Sequence, residues 1–430
     1  MFRPLLLLAL CASFSLQAAQ QCLVIGDSLT KEYEVEFPAL FPANPASWDS
    51  RNWIEILHER RNTWFDLGRF TGYVDPRLTG HEHNWAFPGA TTEEIRTQLN
   101  RWQNAWWTVE LREQIKDSAE RVVVFAGGND VDSFYGQIYN GTSPTAYINK
   151  VRDNLKWIVD YVRSVDSTVP IVLVSVPHLG CAPDIQRQWP TNSVKTARVT
   201  AALDSLNNQL AAYAQTKGIG FVPGVYQFTK DIISGPFIMS GLEFFREADA
   251  DARPRYVFSG DGFHPGTCAH GKIAQMVIAA FNSKYPASPI TPLTDQEIVT
   301  NILGLTSDVP FQTWIATQGL PDGKNGLKDD PDGDGLSNEL EFLLDGGNAA
   351  VPSPGLVRPQ VVAGAPKKLA WTYRIRPEAA NWATSRPQIS SDLVNWANAA
   401  AGSLVNNPDG SITVSVPLLG RKFVRLKVDR

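Results

Sequence analysis

Four short stretches of this 430-residue chain carry residue types that could cleave an ester. The first, CLVIGDSLTKEY, runs from a short apolar strand pattern straight into Gly26, Asp27 and Ser28. A serine hydroxyl is a weak nucleophile and becomes reactive only beside a base that a third group orients. The histidines are His58, His81, His83, His178, His264 and His270. Of these, His264 follows Asp261 by three residues in the Gly- and Pro-bearing loop SGDGFHPGTCAHGK. A carboxylate and an imidazole on one short turn can hydrogen-bond, which makes His264 the candidate base and Asp261 its orienter. The oxyanion formed by attack needs donors. Asn129 in VVVFAGGNDV ends an apolar strand, and Gly89 in NWAFPGATTEEI precedes a helix whose first N–H groups are free.

Each residue also has a plainer reading. Ser28 in isolation serves equally well as a helix cap. Asp27 and Asp130 read as turn or cap residues, and Gly89 could be present only for its backbone freedom. His178, in SVPHLGCAPD, could line a pocket but reads as a satisfied structural histidine, having no paired acid nearby. His81 and His83 form an H-x-H pair without further ligands and read as solvated loop rather than a metal site. Trp102, Trp106 and Trp107 fall at helical spacing, either as core or as an aromatic platform for sugars. Asn140 in NGT matches a glycosylation acceptor.

The elements that must position these groups alternate regularly. Apolar runs at 22–25, 122–126, 170–176 and, more weakly, 218–223 read as strands, and between them lie segments with apolar residues at three- and four-residue spacing. Such alternation predicts an α/β fold with a parallel sheet covered on both faces. Ser28 would then sit at the carboxyl end of the first strand, where open α/β sheets bind ligands.

GDSL at Ser28, FPGAT at Gly89, GGND at Asn129 and DGFH at Asp261 and His264 together resemble the four blocks of the SGNH/GDSL hydrolases, in order, over residues 20–285. The resemblance implies a flavodoxin-like three-layer sandwich with a mostly parallel five-stranded sheet. It also implies a Ser28–His264–Asp261 triad, an oxyanion hole from the Ser28 and Gly89 N–H groups and the Asn129 amide, and ester hydrolysis through an acyl-serine without a catalytic cofactor. A lipase or thioesterase would use the same triad; its mark would be a long apolar lid, for which 235–245 is only a short candidate. A non-catalytic cell-surface glycan-binding protein is the rival from another class.

Beyond Tyr285 the composition changes. A Pro-rich stretch opens an expected linker over 286–350, containing DPDGDGLSNELE. Asp330, Asp332, Asp334, the Leu336 carbonyl, Asn338 and Glu341 occupy positions one, three, five, seven, nine and twelve of an EF-hand loop, with Gly335 at six. Clustered carboxylates repel one another without a cation, so a structural Ca²⁺ is expected here, as in the dockerin-like and thrombospondin type-3 loops that the run resembles. Period-two apolar patterns from about Pro359 predict a small β-rich domain over 351–430. Its end loosely resembles accessory modules of secreted planctomycete and verrucomicrobial proteins, for which attachment, glycan binding and stabilisation all stay open.

Charge and cysteine content narrow the setting. A net charge of -5 and a pI near 5.8 offer no basic stripe for nucleic acid. Residues 1–19 pair one arginine with an apolar stretch and small residues, which reads as a secretory signal peptide. A secreted or cell-surface protein without stable membrane insertion is expected, acting on an ester that could be an acylated polysaccharide. In an oxidising compartment Cys181 and Cys268 are the pair expected to bridge, with Cys22 buried in the first strand.

Overall fold

The computed structural model describes residues 19–33, 50–72, 79–100, 106–246, 255–353, 355–380 and 382–429. Residues 1–18 of the expected signal peptide and Trp102 lie outside them, as do the side chains of Trp106 and Trp107. The chain divides into two compact units, the first Met1–Phe237 with Phe244–Thr294, the second Ile238–Glu243 with Asp295–Arg430.

The first unit is built on a five-stranded sheet of β1 (Cys22–Gly26), β2 (Asn84–Ala86), β3 (Arg121–Phe125), β4 (Ile171–Val174) and β5 (Gly220–Val222). The order is β2-β1-β3-β4-β5, and every pairing is parallel. β1, β3 and β4 are buried along their whole length, as strands covered on both faces must be. One covering layer is α1 (Trp53–Arg60) against a long helix at Thr267–Lys284. On the other side α2 (Thr92–Asn100), α3 (Gly128–Tyr139), α4 (Thr145–Val165) and α5 (Ser193–Lys217) pack on one another.

Local chemistry sets the helix starts. Asn52 caps α1 by accepting from the Ile54 and Glu55 N–H groups, while the Glu55 carboxylate accepts from the Asn52 N–H, a complete capping box. Asn192 caps α5 from one side only, accepting from the Val194 and Lys195 N–H groups. The apolar face of α4, from Ile148 through Val162, is the one buried.

In the second unit α6 (Val309–Ala316) and α7 (Asn338–Leu343) share a core with Trp382, which lies between Phe311 and Phe342. The segment expected as a linker thus supplies Phe311, Ile315, Phe342 and Leu343 to that core. The β region forms two antiparallel sheets. In the first, β6 (Gln360–Val362), β7 (Lys368–Tyr373), β10 (Leu404–Asn406) and β11 (Ile412–Pro417) run in the order β6-β7-β11-β10. In the second, β8 (Thr384–Ser390), β9 (Ala397–Asn398) and β12 (Phe423–Asp429) run β9-β8-β12. The lid candidate at 235–245 is a hairpin of Phe237–Met239 with Leu242–Phe244, and its turn groups with this unit, where the Ser240 carbonyl accepts from the Asp308 N–H.

The expected Cys181–Cys268 bridge is absent: Cys22, Cys181 and Cys268 are buried free thiols. Cys181 donates to the His178 carbonyl at 3.1 Å and Cys268 to the Tyr256 carbonyl at 2.9 Å. His81 and His83 are not solvated either. His83 is buried, and His81 pairs with the fully buried Glu32 at 3.1 Å.

Trp382 is 2% exposed and its Nε1–H donates to Asp308 Oδ1 at 2.9 Å. Trp382→Ala should destabilise the second unit by about 3–5 kcal/mol, through lost burial and an unfilled cavity. Urea unfolding of the full chain would show it; an unchanged transition would contradict the packing described.

Candidate active site

Register brings the site together. In the parallel ladder Gly26 lies opposite Ala86 of β2 and Phe125 of β3. Three neighbouring strands therefore end level, and the residues just beyond them are Ser28, Gly89 and Asn129. Gly26 is dictated by close approach, since a Cβ there would meet the Phe125 carbonyl at 2.4 Å. Gly89 has φ +71, a conformation open to glycine at little cost.

Ser28, His264 and Asp261, expected from type and spacing to form a triad, lie together. His264 Nε2 lies 3.0 Å from Ser28 Oγ, across 236 residues of chain. His264 Nδ1 lies 2.6 Å from Asp261 Oδ2. The other oxygen, Oδ1, accepts from the Phe263 and His264 N–H groups and from the Ser259 hydroxyl. Burial opposes the Asp261 charge, but the His264 hydrogen bond and charge, with the Phe263 N–H and Ser259, bring its pKa down to about 2. The carboxylate thus stays ionised and fixes Nδ1 as the protonated nitrogen, leaving Nε2 to face the serine.

The donor side is held by two acids first read as turn residues. Asp27 is buried; its Oδ1 accepts from the Leu29 N–H and its Oδ2 from the Gly127 N–H, tying the nucleophile turn to the Gly-Gly-Asn turn. Burial pushes Asp27 up to about 6, against the pull of those two N–H groups. Asp130 accepts from both the N–H and the hydroxyl of Thr92, clamping the start of α2 to α3. Asn129 Nδ2 donates to the Ala90 carbonyl at 3.0 Å, which orients its amide beside the Gly89 turn and leaves its second N–H available. Among the described residues, neither the Ser28 nor the Gly89 N–H donates to the backbone. The Gly127 partner of Asp27 and the Thr92 partner of Asp130 lie 100 and 38 residues away, and the only sequence signal for these contacts was the place of the two acids beside Ser28 and Asn129.

Two spaces adjoin the triad. An open polar cleft of about 750 Å³ is lined by Asp132, Gln137, Asn140, Asp184 and Trp189, together with Asp261 and His264. A small apolar chamber of about 40 Å³ is lined by Ser28 and buried side chains behind it. Asn129 and Phe263 line both. His178 is fully buried, as its structural reading required, and burial lowers its pKa to about 4.

The acidic loop of the second unit collects acceptors that lack donors. Carboxylate oxygens of Asp330, Asp332 and Asp334 lie within 4.8 Å of one another. Asp332 Oδ2, Asn338 Oδ1 and both Glu341 carboxylate oxygens are buried without a hydrogen-bond partner. Burial, then the charges of Asp332 and Asp334, push Glu341 up to about 7. Orphaned buried acceptors facing like charges fit a bound cation.

Because the folded pKa of Asp261 lies below that of an unfolded aspartate, about 3.9, its ionised form stabilises the loop above that pH. This stabilisation disappears as pH falls through about 2. Melting temperatures of wild type and Asp261→Asn should differ at pH 6 and converge between pH 4 and 2; a constant difference would remove the ion-pair account.

A sequence profile described as GDSL-like Lipase/Acylhydrolase matches residues 23–277. No curated protein matches. Among solved structures, a carbohydrate esterase family 3 protein from Talaromyces cellulolyticus is 11% identical with a TM-score of 0.31, over 60% of this chain and 94% of that one. A serine-to-alanine variant of an acetyl esterase, solved with acetate ion, is 12% identical with a TM-score of 0.32, over 63% of this chain and 100% of that one. With its profile match spanning more than half the sequence, the chain belongs to the GDSL-like lipase/acylhydrolase family and is an ester hydrolase.

Proposed function

We propose that this ester hydrolase is a secreted serine esterase that removes acyl groups, acetyl foremost, from a polysaccharide. The observation that carries the reading is the 3.0 Å and 2.6 Å chain from Ser28 through His264 to Asp261, beside the polar cleft. Ser28 Oγ attacks the ester carbonyl while His264 Nε2 takes its proton. The resulting oxyanion lies against the Ser28 and Gly89 N–H groups and the Asn129 amide. Each such donor contributes about 10²–10³ in rate. Collapse of this intermediate expels the alcohol, which takes the proton from His264 and leaves acyl-Ser28. Water, deprotonated by His264, then attacks the acyl-serine, releasing the carboxylic acid and restoring the Ser28 hydroxyl. Asp261 keeps its proton balance unchanged and stabilises the imidazolium.

The leaving alcohol must lie on the His264 side, because His264 protonates it. That side is the open cleft, where Asp132, Asp184, Gln137 and Asn140 offer hydrogen-bond partners and Trp189 an aromatic face. A sugar presents hydroxyls and apolar C–H faces to match. Trp189 and Phe263 are the cleft's large apolar side chains among mostly polar ones, a poorer match for a lipid alcohol than for a sugar, which is why the polysaccharide reading stands ahead of a lipase. The signal-peptide pattern of residues 1–19 supports export, and no described helix is long and apolar enough to cross a membrane. In the same reading Ca²⁺ is held by Asp330, Asp332, Asp334, the Leu336 carbonyl, Asn338 and Glu341. Its role there is structural, neutralising the loop that leads into α7.

Ser28→Ala, folded by circular dichroism, should lose on the order of 10⁴-fold or more of ester turnover. Acetylated polysaccharide should release acetate with the wild type and not with the variant; rapid turnover of long-chain lipid esters without acetate release would sink the substrate assignment. Adding CaCl₂ to chelator-treated protein should raise the melting temperature of the second unit, and Glu341→Gln should abolish the rise. An equal shift in that variant would rule out the loop as the site.

A further inference from the structure

We infer that the turn Pro177–Ala182 closes the back of the acyl site and limits the enzyme to short acyl groups. The inference rests on the serine-esterase reading above. The cleft and the chamber meet at Asn129 and Phe263, with His264 on the cleft side and Ser28 on the chamber side. An ester bound across that junction puts its alcohol in the cleft and its acyl tail in the chamber. The chamber is about 40 Å³ and its walls include Leu179, Cys181, Ala182, Val225 and Ile273, each at most 7% exposed. On the same measure the cleft holds about 750 Å³, so the chamber is the small apolar compartment of the two and suits a short acyl tail.

The wall is braced against yielding. His178 Nδ1 accepts from the Gly180 N–H at 3.0 Å, and its Nε2 meets Thr200 Oγ1 at 3.0 Å. The His178 N–H donates to Thr229 Oγ1 at 2.9 Å, and Cys181 Sγ–H returns to the His178 carbonyl. Gln186 Nε2 donates to the Gly180 carbonyl at 2.8 Å. A Cβ at Gly180 would meet Tyr135 Oη at 2.5 Å, so the turn is packed from behind as well. A longer acyl chain would have to break several of these hydrogen bonds among groups with no water to replace them.

The test compares kcat/KM on p-nitrophenyl acetate, butyrate and octanoate for wild type, Ser28→Ala, Leu179→Ala and Ala182→Val, with melting curves for each. Wild type should handle acetate and butyrate within about ten-fold of each other and octanoate at least 100-fold more slowly, against the gain of about four-fold per methylene that an open apolar site gives. Leu179→Ala should raise the octanoate-to-acetate ratio ten-fold or more, and Ala182→Val should lower the butyrate-to-acetate ratio. Octanoate turnover equal to acetate, lost in Ser28→Ala, would overturn the acyl limit and leave the esterase reading standing. Folded Leu179→Ala and Ala182→Val with wild-type ratios would remove the turn from its role. No Ser28-dependent hydrolysis of any ester would remove both readings.

Discussion

The parallel ladder through Gly26 is the constraint on which the catalytic end depends. Because β1 lies between β2 and β3 with Gly26 level with Ala86 and Phe125, three separate turns leave the sheet at one height. A parallel sheet cannot join these strands by tight hairpins, so each turn must open into a crossover, and the helices that begin there point their N-termini toward the same edge. The space left at the Gly26 Cα is what lets β1 and β3 approach and what lets Thr30 fold back beside them. A one-residue slip would move Ser28 away from Asn129 and turn every buried side chain of β1 to the other face.

Buried polar groups convert that level edge into a fixed geometry. Asp27 and Asp130 each accept two hydrogen bonds across a turn, so the serine, glycine and asparagine segments are tied in sequence rather than left as independent loops. Satisfied networks of this kind specify one arrangement, since breaking any member strands a buried acceptor. The histidines divide by the same physics. His178 and His270 are fully buried, and desolvation drives their pKa values to about 4 and about 3, so both stay neutral and serve as hydrogen-bonding struts. His270 meets Tyr33 Oη, which donates to the Pro265 carbonyl next to His264.

Much of the site was legible because its chemistry depends on residue type and short spacing. Asp261 and His264 share one turn, and Ser28 ends a strand whose apolar run is unmistakable. What was not legible depends on side-chain direction and long-range contact. Cys181 and Cys268 both follow segments near the sheet edge, yet each sulfur turns to a nearby carbonyl, and no spacing rule reveals that. His83 was hidden by polar neighbours although it is buried, and His81 because its partner is not the adjacent Glu82 but Glu32, 49 residues away. The helical segments after Tyr285 looked like a spacer because Phe311, Ile315 and Phe342 are sparse along the chain. They become a core only when Trp382, far downstream, closes over them.

The three buried thiols carry a consequence for the redox settings that the folded protein tolerates. Burial pushes Cys22 and Cys181 up to about 12 and raises Cys268 further, so none offers a thiolate to an oxidant or to a disulfide-exchange partner. The fold thus neither requires an oxidising environment nor is endangered by one. A folded chain moved between a reducing and an oxidising medium should therefore keep the same three reduced thiols.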